Sequence, residues 1–66
     1  MTLVINGENR TLPAVSNVLE MLSQLGIAPD RIAVELNGRI VRRRDWAVTA
    51  VSDRDKVEIV QFVGGG

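Results

Sequence analysis

Short apolar runs divide this chain, and their spacing changes from the alternation of a strand to the three-and-four spacing of a helix and back again. "MTLVINGENRTL" carries two apolar stretches on either side of Asn6-Gly7. Both turn residues tolerate the positive φ of a type I′ turn, so this segment predicts a hairpin, Thr2 to Ile5 paired with Asn9 to Leu12. Pro13 has no N–H for a ladder and ends the second strand. Downstream, Val15, Val18, Leu19, Leu22 and Leu25 follow the i, i+3, i+4, i+7 spacing of an amphipathic helix. Ser16 is its expected N-cap, Gly26 stands where a left-handed residue closes a helix, and Pro29 follows. These signals predict a helix of about ten residues ending near Leu25.

Alternation then returns. Ile32, Val34 and Leu36 share one face of a strand and Ala33 and Glu35 the other, before a second hairpin turn at Asn37-Gly38. Arg42 to Arg44 weaken the returning strand. "RDWAVTAVSDRD" reads as an irregular connection with a short helical turn around Asp45 to Ala47. "KVEIVQFV" closes the pattern as a strand rich in β-branched residues, with Val57 and Ile59 on one face and Glu58, Val60 and Phe62 on the other.

The order strand, strand, helix, strand, strand, strand leaves one arrangement for so short a chain: a single helix across one face of a single sheet. The expected class is therefore α+β, a β-grasp or ubiquitin-like fold with a mixed sheet of four to five strands. Residues 1–62 form its body, and residues 63–66 form a flexible glycine tail.

Composition narrows the chemistry. A chain of 66 residues buries roughly 60% of its unfolded surface, which argues against an enclosed active site and a self-contained enzyme. No cysteine or histidine is present, so thiolate chemistry, zinc-thiolate sites and the commonest general base are excluded. Ser16, Ser23 and Ser52 have no histidine to activate them, and Lys56 is the single lysine. The expectation is no catalytic residue, no metal and no bound cofactor. Eight basic residues balance eight acidic ones, which argues against a nucleic-acid partner. No apolar run is long enough to span a membrane and no leader pattern opens the chain, so it reads as cytoplasmic.

The carboxylates are scattered, and the closest pair, Asp53 and Asp55, reads as a solvated turn. "RRR" at Arg42 to Arg44 reads first as a charged edge strand protected from aggregation, and otherwise as a contact for an acidic partner through Arg42 and Arg43. Trp46 reads as a half-buried core residue rather than a recognition anchor.

The chain closes on "QFVGGG". Glycine is the residue least able to hold a fold, and the distinctive group here is the carboxylate of Gly66, ionised at neutral pH. Such a carboxylate can attack the α-phosphate of ATP to form an acyl-adenylate open to sulfur or nitrogen nucleophiles. Four residues without bulky side chains reach up to about 13 Å into a narrow channel. Ordering them costs about 1–2 kcal/mol each, so a partner must also grip the body, and Val60, Phe62 and Val63 are the candidate patch.

"SNVLEMLSQLGI", "VELNGRIV", "RRRDWAVTAV" and "DRDKVEIVQFVGGG" make the whole chain resemble the ThiS family, the ubiquitin-like sulfur carriers of thiamine biosynthesis. The resemblance implies the same β-grasp fold and a carrier rather than an enzyme. It implies that Gly66, at the end of the tail Gly64, Gly65 and Gly66, is adenylated and converted to a thiocarboxylate. The implied partners are a ubiquitin-activating-type adenylating enzyme (ThiF-like) that uses ATP and Mg, a sulfur donor protein, and a thiazole synthase (ThiG-like) that takes the sulfur. Family members often carry proline where Arg42 stands and glycine where Arg54 stands. The molybdopterin-synthase small subunit, usually longer, is a near rival, as is a ubiquitin-like protein tag. From another class, a β-grasp module could bind protein or RNA through its sheet face and arginines, with the glycines incidental.

Overall fold

In the computed structural model, which describes residues 1–62, the chain folds as the spacing predicts. Strands β1 (Thr2–Ile5) and β2 (Glu8–Thr11), helix α1 (Val18–Gln24), strands β3 (Ile32–Leu36) and β4 (Arg39–Val41), a 3₁₀ helix (Arg43–Val48) and strand β5 (Lys56–Gln61) follow in that order. The strands form one sheet in the order β2-β1-β5-β3-β4. Neighbours are antiparallel except β1 and β5, which run parallel and make the sheet mixed. This is the β-grasp fold.

Both Asn-Gly pairs form the expected turns. Asn6 and Gly7 have φ of 50° and 81°, and Asn37 and Gly38 have 51° and 83°, the positive values a type I′ turn requires at both centres. The first hairpin is shifted slightly from expectation, β2 being Glu8–Thr11 rather than Asn9 to Leu12. A two-residue turn must pair Ile5 with Glu8. Leu12 lies just past the strand, and its N–H still donates to the Met1 carbonyl at 2.9 Å.

The helix differs more. Its N-cap is Asn17, whose Oδ1 accepts from the Glu20 N–H at 2.8 Å, while the Ser16 N–H donates to Glu20 Oε1 at 3.1 Å. This reciprocal arrangement resembles a capping box placed one residue later than Ser16 would set it. Only seven residues are helical. The buried stripe is therefore Val18, Met21 and Leu22, with Leu25 packed beside it. Val15 is buried but precedes the helix, and of the predicted stripe Val18, Leu22 and Leu25 face the core as expected. Leu19, placed on that stripe by the count, lies on the flank at 45% exposure.

Alternation sets which sheet residues face the helix. Leu3 and Ile5 of β1, Val34 of β3 and Val57 of β5 are buried against Val18, Met21 and Leu22. The connection after β4 is more ordered than expected, a 3₁₀ helix over Arg43–Val48 rather than a turn at Asp45 to Ala47. Trp46 holds it in place. It is 2% exposed and donates its indole N–H to the Val41 carbonyl at 2.9 Å, satisfying the one polar group that burial would leave unpaired.

Candidate functional site

β5 occupies the middle of the sheet, between β1 and β3, and it leads directly into the terminal glycines. Both hairpin turns grip it. Asn6 donates its backbone N–H to the Val57 carbonyl, accepts the Ile59 N–H on Oδ1 at 2.7 Å and donates Nδ2 to the Ile59 carbonyl at 3.2 Å. β1 pairs with β5 at only two positions, Val4 with Lys56 and Ile5 with Val57, and the Asn6 amide prolongs that pairing as a side-chain substitute for backbone. On the other side, Asn37 donates its backbone N–H to the Lys56 carbonyl at 2.7 Å and accepts the Lys56 N–H on Oδ1 at 2.9 Å. The last described residue is still tied down, the Phe62 N–H donating to the Arg31 carbonyl at 2.7 Å.

The residues of β5 that face away from the helix form the candidate surface. Lys56, Glu58 and Val60 alternate outward, and Phe62 follows them. Val60 and Phe62 are 55% and 56% exposed. Register completes the surface. Val60 pairs with Ala33, Glu58 with Glu35, and Glu35 in turn with Ile40 of β4. Ile40 is 76% exposed and absent from the sequence expectation. Counting back from the two-residue Asn37-Gly38 turn pairs Leu36 with Arg39 and Glu35 with Ile40, so the signal was present in the hairpin itself.

Val60 and Phe62 thus share one face, while the arginines do not form a unit with them. β4 ends at Val41, so the reading of Arg42 to Arg44 as a charged edge strand is corrected: that edge carries Arg39 instead. Arg42 lies just beyond the strand with extended backbone, φ −70° and ψ 148°, and Arg43 begins the 3₁₀ helix. That helix packs against α1 on the opposite side of the sheet, because Trp46 must reach the core. Val63, Gly64, Gly65 and Gly66 lie outside the described residues.

The carboxylates of "DRD" serve the fold. Asp53 Oδ1 accepts the Thr2 N–H at 2.7 Å, and Asp55 accepts the Ser52 N–H on Oδ2 at 2.8 Å and Asn37 Nδ2 on Oδ1 at 3.1 Å. Among the described residues no three potential metal ligands come together, and no helix is long and apolar enough to cross a membrane. Between the segment that follows α1 and the sheet, near the end of β5, a depression of about 300 Å³ is lined by Ile5, Leu25, Ile27, Ile32 and Ile59 together with polar residues that include Gln61.

A β-grasp body whose central strand leads in sequence into a run of glycines defines the class, a small ubiquitin-like protein. The ThiS family model matches residues 3–66, and the chain belongs to the ThiS family. The crystal structure of the thiamine biosynthesis protein (ThiS) from Geobacter metallireducens superposes with a TM-score of 0.83 at 40% identity, with 100% of each chain covered. The sulfur carrier protein ThiS of Escherichia coli is 32% identical over 66 residues, the full length of both chains. A thiazole synthase of Paramagnetospirillum magneticum is 48% identical over 66 residues, which are 100% of this chain and 20% of that protein. The chain spans only a fifth, 20%, of the curated thiazole synthases it matches.

Proposed function

We propose that this chain carries sulfur as a thiocarboxylate on Gly66 and delivers it to a thiazole synthase. The observation that carries the reading is the whole-chain match to the ThiS family, glycines included. In this chemistry the Gly66 carboxylate attacks the α-phosphate of ATP and releases pyrophosphate. A terminal persulfide on a donor protein then displaces AMP from the acyl-adenylate to give an acyl disulfide, and a second thiol attacks the donor's sulfur, forming a disulfide with it and releasing the Gly66 thiocarboxylate. ATP and Mg²⁺ belong to the adenylating partner, of the ubiquitin-activating type, and the chain itself is a co-substrate rather than an enzyme. Work in the cytoplasm, where ATP is at hand, completes the reading.

Two features support it. The whole-length likeness to a protein named as a sulfur carrier assigns the role to a body of this size. Relatives named thiazole synthase carry a matching stretch as a fifth of their length, 20%. Joining a carrier to its acceptor raises the effective concentration of one at the other. Val60 on β5, Phe62 just past it, Val63 and Arg42 are the residues proposed to meet these partners. Arg43 is proposed as a separate contact on the 3₁₀ helix.

Deleting Gly65 and Gly66 tests the reading. With the cognate adenylating enzyme, ATP and a sulfur donor, the full chain should exchange one oxygen for one sulfur by intact mass. The shortened chain should not, although its thermal midpoint is unchanged. Equal sulfur loading of both chains would overturn the assignment of Gly66.

A further inference from the structure

The helix-free face holds a charge arrangement that the fold does not require. The Asn37 N–H bonds the Lys56 carbonyl and the Phe62 N–H bonds the Arg31 carbonyl, which fixes the phase of the antiparallel β3–β5 ladder. Two residues from the Asn37 end and four from the Arg31 end, Glu35 and Glu58 fall opposite one another. Their Cβ atoms are held about 4.5–5.5 Å apart, a spacing at which like charges oppose folding. Both are exposed. The ion pairs among the described residues are Arg44 with Asp45 and Arg54 with Asp53, and neither includes these glutamates. Lys56 lies two residues along the same face, about 7 Å from Glu58 at the backbone, and makes no ion pair with it among the described residues.

Apolar side chains flank the pair on two sides. Ile40 flanks Glu35 on β4, and Val60 and then Phe62 follow Glu58 along β5, all more than half exposed. Apolar residues beside a charged centre help to exclude water from a contact and strengthen the polar bond next to them. One guanidinium is planar, carries five donors and can bind two carboxylates at once. A lysine ammonium lacks that fork.

We propose that this face docks a partner protein through an arginine of that partner, seated between Glu35 and Glu58 and flanked by Ile40, Val60 and Phe62. The inference deepens the carrier reading, on which it rests only for the choice of partner, the adenylating enzyme. Repulsion between the two glutamates in the free chain is relieved on docking, so the pair costs folding and favours binding.

The experiment compares wild type, E35Q/E58Q and E8Q, the last removing a charge from β2, by titrating each into the cognate adenylating enzyme and following sulfur loading separately. E35Q/E58Q should bind about tenfold more weakly or worse, with a shallower dependence on salt. Its thermal midpoint should equal or exceed that of wild type. E8Q should stay within about twofold, and E58Q alone should lie between. Equal affinity of wild type and E35Q/E58Q, or a loss shared equally by E8Q, would overturn the proposal. So would a wild-type chain that does not bind the enzyme at all. A wild-type chain that binds as described but is never loaded with sulfur would overturn the carrier reading and leave the docking arginine in place.

Discussion

Arg54 shows how much a single backbone angle can decide. Its φ of 69° places a side chain in the left-handed region, where the Cβ of any residue but glycine crowds the following carbonyl at a cost of about 1–2 kcal/mol. The turn imposes this angle because it must direct the Arg54 N–H to the Thr2 carbonyl at 2.6 Å and the Asp53 carboxylate to the Thr2 N–H. The arginine returns little, since its contact with Asp53 is 3.8 Å long and exposed. Arg54→Gly should therefore raise stability by about 1 kcal/mol, or about 4–8 °C in thermal midpoint for a domain this small. A thermal denaturation curve checks it, and an unchanged or lowered midpoint would mean that the turn carries no strain.

The elements were legible wherever one local signal governed them. Asn6-Gly7 and Asn37-Gly38 declared both hairpins because few residue pairs accept two positive φ values in a row. The turn between Asp53 and Asp55 was legible, but the left-handed backbone of Arg54, like that of Arg31, was not, since arginine gives no local sign of it. The helix start was missed by one residue because Ser16 and Asn17 are both good caps, and the choice falls to the reach of Glu20 back to Ser16. Val60 and Phe62 could be placed on one face by alternation alone. Ile40 needed the register between strands, and the separation of Arg43 from the sheet needed the burial of Trp46. Reading the asparagines as turn residues also left out their second task, the grip on β5. Asn6→Gly keeps the turn but removes both bonds to Ile59, which should cost about 1–3 kcal/mol. Urea unfolding should show that loss, and amide hydrogen exchange should quicken at Ile59 more than at Val34 in the core. Equal protection at Ile59 in both proteins would mean that the grip is inconsequential.

At the scale of the whole molecule, a small core of helix and sheet supports a central strand, and the sequence runs from that strand into the glycines on which the proposed chemistry depends. The helix face of the sheet is spent on folding, with Leu3, Val34 and Val57 fully buried. The opposite face carries the exposed Ile40, Val60 and Phe62. Such a division suits the carrier proposed above, whose body would be met in turn by an enzyme that loads it and an enzyme that unloads it. The most direct test is the mass of the C-terminal peptide of this protein isolated from its native cell under conditions that preserve thioacids. The account predicts a fraction ending at Gly66 with one oxygen replaced by sulfur, vanishing when the adenylating enzyme is deleted. A terminus that is always the plain carboxylate, or a chain that continues past Gly66 in every molecule, would contradict it.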